Sequence, residues 1–158
     1  MTVPAEPNRT LSVSRLISAP PERVFRMFST AEHLDAWWGP DGFTNETHEM
    51  DFSVGGLWRY TMHGPDGKDW PNWIRYREIS PPTRLVYDHG GEIDEPRHFE
   101  GVISFEAEGD KTRVTLSLVF PTAEARDATL KFGAVEGGNQ TLAKLDAYLG
   151  TYLGTQVG

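Results

Sequence analysis

The chain changes side-chain period once, and that change limits the folds open to it. From Phe43 to Phe120, short segments of period two follow one another, separated by glycine, proline and aspartate turns. After Phe120 the period becomes that of one long amphipathic helix. The parity is clearest over residues 112–120, where Val114, Leu116, Leu118 and Phe120 share one face and Arg113, Thr115 and Ser117 the other. Carried across the turn at Glu108-Gly109-Asp110, this register puts Phe99, Ile103 and Phe105 of residues 98–106 on the same apolar face. Residues 44–52, 57–63, 72–80 and 84–89 read as the other strands, with Trp58, Tyr60 and Met62 sharing a face. A sheet with one apolar face needs one covering layer, and the only long amphipathic element is C-terminal.

The chain before Phe43 adds a strand over residues 10–17 and two short helices. The first starts at Ser18-Ala19-Pro20-Pro21-Glu22, where proline needs no N–H partner, and buries Val24, Phe25 and Phe28. The second, residues 31–37, places Leu34 and Trp37 three apart and stops at Gly39-Pro40. The expected fold is α+β: a curved seven-stranded antiparallel sheet around a long C-terminal helix, with two short helices after the first strand. Residues 1–9 and 154–158 read as tails flanking a single domain over residues 10–153.

The C-terminal segment, residues 121–152, carries the functional signal. Thr122 suits an N-cap, and Glu124 puts negative charge in the first turn. Ala128, Phe132, Val135, Leu142, Leu145, Leu149 and Tyr152 recur at helical spacing as the inner face. Between Val135 and Leu142 the next inward positions are Gly138 and Asn139, with Gly137 beside them and Gly133 a turn earlier. Each interior glycine costs a helix about 1 kcal/mol relative to alanine, so their presence needs a compensating use. Either the helix breaks near Gly137 or its backbone approaches the sheet, or missing side chains leave a cavity for a small apolar molecule.

Composition narrows the classes. No cysteine is present, which excludes thiol catalysis and cysteine-ligated zinc and fits a reducing compartment. A formal net charge of −8 with no basic tract argues against nucleic acid and anionic lipid as partners. No apolar run approaches a membrane span and the N-terminus lacks a signal-peptide pattern, so the expected location is the cytoplasm. Eight Phe, five Tyr and five Trp are enough both to fill a core and to line a pocket.

Seven segments then carry a resemblance. They are Ala19-Pro20-Pro21-Glu22-Arg23-Val24-Phe25, Trp37-Trp38-Gly39-Pro40, Gly55-Gly56-Leu57-Trp58, Gly64-Pro65-Asp66-Gly67, the run from Glu78 to Leu85, Thr112-Arg113-Val114-Thr115-Leu116, and the stretch from Gly137 to Leu145. In this order they resemble the family named for the activator of heat-shock protein 90 ATPase, within the START and birch-pollen-allergen-like (SRPBCC) superfamily. The resemblance spans about residues 11 to 150 and implies a helix-grip domain with a cavity between helix and sheet. It leaves the chemistry open, because the superfamily holds carriers, receptors, cyclases and chaperone partners. Family members commonly carry a tryptophan where this chain has Gly138, which implies a larger cavity here.

The expected ligand-binding residues are Trp37, Trp38, Trp58, Tyr60, Phe99, Val135, Gly138 and Leu142, with Trp37-Trp38 either walling one cavity end or packing in the core. For an enzyme of the polyketide cyclase kind, His89 and Tyr87 on the inner face are the acid or base candidates. His89 and His98 flank Gly90-Gly91, but register turns one inward and the other outward, so a metal site there would need a bulge. His48, His63 and His33 show no ligand spacing and read as ordinary sheet or surface residues. No nucleophile or phosphate-loop motif is present. Residues 72–80 leave their inner face open, since Trp73 and Ile79 suggest one parity and Ile74 and Tyr76 the other. An inward Arg75, Arg77 or Glu78 would need a partner; outward, they form a solvated face. The expectation is a binding module for a small hydrophobic ligand, with no cofactor and no metal, and compatible with a homodimer. A cyclase and a chaperone partner are the alternatives, the last weakened because the chain leaves no room for a second docking domain.

Overall fold

The computed structural model describes residues 7–157, with side chains over residues 8–151. The expected tail over residues 1–6 lies outside the described residues, as does the inward assignment of the Tyr152 side chain. Seven strands form one antiparallel sheet: β1 (Thr10–Ile17), β2 (Thr44–Met50), β3 (Leu57–His63), β4 (Asp69–Ser80), β5 (Arg84–Gly90), β6 (Phe99–Glu108) and β7 (Lys111–Val119). Their order is β1-β7-β6-β5-β4-β3-β2, so every neighbour after β1 is also a neighbour in sequence. Helices α1 (Pro21–Arg26) and α2 (Ala31–Trp37) follow β1, and α3 (Ala123–Lys131) and α4 (Ala134–Val157) close the chain. The curved sheet around a long last helix is the helix-grip arrangement. No helix among the described residues is long and apolar enough to cross a membrane.

Local chemistry sets the boundaries. Thr30 caps α2 by accepting from the His33 N–H at 3.3 Å, and Thr122 caps α3 by accepting from the Ala125 N–H at 3.1 Å. The C-terminal segment is not one helix. It breaks at Phe132 and Gly133, where φ of +81° is a conformation that favours glycine, and α4 then runs unbroken through Gly137 and Gly138. The break turns the helical register. Phe132 is therefore 91% exposed rather than inward, and Ala128 and Asn139 also face water. Beyond the break the expected stripe holds, with Leu142, Leu145 and Leu149 closed from solvent. Residues 154–157 continue α4.

The open parity of residues 72–80 has a physical resolution in a β-bulge. The β4–β5 register shifts between Tyr76 and Glu78, leaving Arg77 as the extra residue. Before the bulge Asn72, Ile74 and Tyr76 face the helix; after it Ile79 does, opposite Leu85. Ile74 and Tyr76 mark the inner face before Arg77 and Ile79 marks it after, whereas Trp73 packs on the outer side over Gly90. The charges all point out: Arg75 donates to the Gly55 carbonyl at 2.8 Å and Arg77 pairs with Asp88 at 3.1 Å.

One aromatic cluster centres on α1 and α2, with Phe28 at 4.8 Å from Trp37 and 5.2 Å from Phe105 between ring centres. α4 is tied across this end by His33 Nδ1 and the Tyr148 hydroxyl, 2.7 Å apart, so His33 is half-buried rather than a free surface residue. Arg15 of β1 reaches Asp146 at 3.2 Å. The core thus packs beneath residues 142–149 of α4, and residues 134–141 lie over a different part of the sheet.

Candidate functional site

Beneath the first turns of α4 the concave face of the sheet is left partly empty. A pocket of about 410 Å³ lies there, floored by β3 to β7, walled by Leu11 and Val13 of β1 and by the 38–40 turn, and roofed by α3 and α4. The helix leaves this space because its inward positions are small: Ala134, Gly137, Gly138 and Thr141. The 38–43 turn is fixed to α4 by Lys144, whose Nζ donates to the Pro40 carbonyl at 3.3 Å, and by Gln140, which accepts from the Asp41 N–H at 3.1 Å.

The residues expected to bind ligand divide into two sets. Trp38, Tyr60, Phe99, Val135 and Gly138 line the pocket, as do the candidate acid–base residues Tyr87 and His89. Trp37, Trp58 and Leu142 do not. Trp37 and Trp58 are each 1% exposed, Trp37 donating to the Met27 carbonyl at 3.1 Å and Trp58 stacking on Tyr60 at 4.0 Å. Leu142 lies one turn too far along α4, in the filled half of the interface, and is fully buried. Val135, 40% exposed, forms the rim.

Gly138 combines two of the readings open to it. A Cβ there would stand 2.8 Å from Val13 Cγ2, so the glycine permits close approach of helix to β1 while also bordering the pocket. Gly137 differs, with its nearest neighbour, Pro40 Cβ, at 3.7 Å in ordinary contact. Gly137→Ala is therefore expected to stabilise the protein by about 0.5–1 kcal/mol through helix propensity. Gly138→Ala is expected to destabilise it, because overpacking against a stiff β-branched neighbour costs about 1–3 kcal/mol. Opposite shifts in melting temperature would confirm the difference; the same sign for both would refute it.

The polar groups of the floor form a short chain. Asn72 Nδ2 donates to the Trp70 carbonyl at 3.0 Å, which turns its Oδ1 toward His89 Nε2 at 2.9 Å. His89 Nε2 therefore carries the proton, and Nδ1 is a bare lone pair, closed to water and without a partner among the described residues. Burial pushes the His89 pKa down to about 3, and the nearby His98 adds to the push. The ring stacks on Phe99 at 4.5 Å. Tyr60 accepts from Trp38 Nε1 at 3.1 Å, and burial raises the pKa of Tyr60 and of Tyr87 well above the ordinary phenol range, keeping both protonated. Asn72 went unnoticed in the sequence, although pairing Tyr60 with Asn72 across the Gly64–Gly67 turn reveals its inward direction.

His89 faces inward and His98 is exposed, with ring centres 5.9 Å apart. Among the described residues no group of three or more His, Asp or Glu side chains is placed to hold a metal. His63 instead bridges Asp69 at 2.6 Å and Glu46 at 3.0 Å on the outer face, and the carboxylates raise its pKa, Asp69 contributing most.

A family model described as activator of Hsp90 ATPase homolog 1-like protein matches residues 18–150. The chain belongs to this family. No curated protein matches it. Solved structures share the fold. A protein of Arthrobacter aurescens is 25% identical, covers 91% of this chain and 87% of its own, and superposes with a TM-score of 0.84. One from Chromobacterium violaceum is 27% identical over 87% of this chain and 95% of its own, with a TM-score of 0.76. A Nitrosomonas europaea protein, 21% identical over 94% and 99%, reaches 0.85 and shows likeness of fold alone. The helix-grip architecture is thus shared with these structures.

Proposed function

We propose that this member of the family is a binding module for a small, mostly apolar or aromatic molecule held between α4 and the sheet. The observation that carries the reading is the pocket of about 410 Å³ under a helix that presents glycine and threonine where leucine closes the other half. That volume is within the range of about 300–1,000 Å³ typical of small-molecule sites, and an apolar wall with a few polar groups is the usual composition. A cyclase-like activity has less support: proton transfer works best with groups that titrate near the working pH, and His89 and Tyr87 are displaced from it in opposite directions.

Leu118 projects from β7 into the pocket and is half-buried. Wild-type protein is expected to take up the neutral dye Nile red saturably, and native mass spectrometry of freshly purified protein to show a retained small molecule. Leu118→Trp is expected to weaken dye uptake at least about tenfold by occupying the space, with the native circular dichroism spectrum kept. Absence of saturable uptake by the wild type, or undiminished uptake by a folded Leu118→Trp variant, would overturn the assignment.

A further inference from the structure

The pocket has a polar floor but no charge. Its lining includes no Asp, Glu, Lys or Arg. The tautomer set by Asn72 leaves His89 neutral, with its remaining nitrogen closed off. What the floor can offer is phenol hydrogens. Tyr87 is 6% exposed, and its hydroxyl makes no hydrogen bond among the described residues. That hydroxyl is also absent from the unpaired side-chain atoms sealed from water, which among the described residues are Asn45 Oδ1 and His89 Nδ1. It therefore reaches accessible space, and Tyr87 lines this pocket. The Tyr60 oxygen is already taken by the Trp38 N–H, which leaves the Tyr60 hydrogen to give.

Building on the pocket reading above, we propose that the site selects an uncharged ligand with one acceptor oxygen, a ketone, aldehyde, ester or ether, and that Tyr87 is the residue that meets it. A ligand that displaces water from the pocket without pairing this hydroxyl leaves a buried donor unsatisfied, which is costly, and an acceptor on the ligand removes that cost. A ligand carboxylate would also accept from Tyr87, but its charge would be buried with no cation to balance it. A ligand ammonium would find no carboxylate. Burial raises the Tyr87 pKa, consistent with a hydroxyl that donates and stays protonated.

Three isosteric probes separate these chemistries by displacement of Nile red: 2-acetylnaphthalene, 2-isopropenylnaphthalene and 2-naphthoate. The ketone is expected to bind about fivefold tighter than the hydrocarbon, and the carboxylate at least about 100-fold weaker than the ketone. Tyr87→Phe removes only the hydroxyl; it is expected to bring the ketone to the affinity of the hydrocarbon and leave the hydrocarbon unchanged. Equal wild-type affinities for ketone and hydrocarbon overturn the proposal, as does naphthoate binding within about tenfold of the ketone, or an undiminished ketone preference in Tyr87→Phe. If Tyr87→Phe fails to fold, the wild-type comparison decides alone. Dye uptake without ketone preference defeats this inference and spares the pocket reading; absence of any uptake, Nile red included, defeats both.

Discussion

Leu142→Ala is expected to lower the free energy of unfolding by about 2–5 kcal/mol, and Leu118→Ala by less than about 2 kcal/mol, although both are inward leucines. Leu142 is fully buried in the filled half of the interface between helix and sheet. Removing three of its carbons leaves a void whose walls are α4 and a closely packed aromatic cluster, with little freedom to collapse. Leu118 borders space that is already empty, so truncation enlarges an existing pocket and forfeits fewer contacts. Urea denaturation of both variants measures the difference. Equal losses would mean that the two halves of α4 are packed alike and that the pocket does not persist in solution.

Acid is expected to weaken the fold through His89. Its folded pKa of about 3 lies below the ordinary 6.5, so between these values the unfolded chain binds more protons than the native one. Stability from this group is complete above pH 6.5 and falls as pH drops toward 3, by up to about 1.4 kcal/mol per unit. At pH 4.5 the loss is about 2 kcal/mol once the partial exposure of the residue is allowed for. His63 has the opposite sign, since its raised pKa stabilises below 6.5 and that contribution disappears as pH rises through the folded value. Comparing the pH dependence of unfolding in wild type and His89→Phe isolates the first effect. The variant is expected to lose most of the slope between pH 6.5 and 4.5; an unchanged slope would show that His89 is solvated.

Most of the architecture was legible because strand parity is a strong signal wherever one face is apolar. Val114, Leu116, Ile103 and Phe105 point as their alternation requires, and β1, β3 and α2 have the bounds expected of them. Failures came where an extra residue resets a period. Arg77 does this in β4, which hid the inward Asn72, and the Phe132–Gly133 break does it between α3 and α4, which moved Phe132 from the expected core to solvent. Periodicity counted through such a point assigns the wrong face on one side of it. The site was half legible for a related reason. Aromatic residues were chosen by type and parity, which does not distinguish Trp38 at the pocket from Trp58, stacked within the core. Of the residues that leave the space empty, Gly137 and Gly138 stand out in the sequence, whereas Ala134 and Thr141 carry no such signal.

The depth of the pocket is also governed from the strand side. Tyr87 sits opposite Gly101 of β6, and a Cβ at that glycine would stand 2.1 Å from the phenol ring. The ring therefore lies flat across the backbone of its neighbour, like a tile, and its bulk is taken up within the thickness of the sheet. An alanine in that one place would tilt the tile upward into the volume under α4. A single methyl group on a strand can therefore resize the chamber while every residue of the gripping helix stays the same, so matching last helices need not mean pockets of matching size.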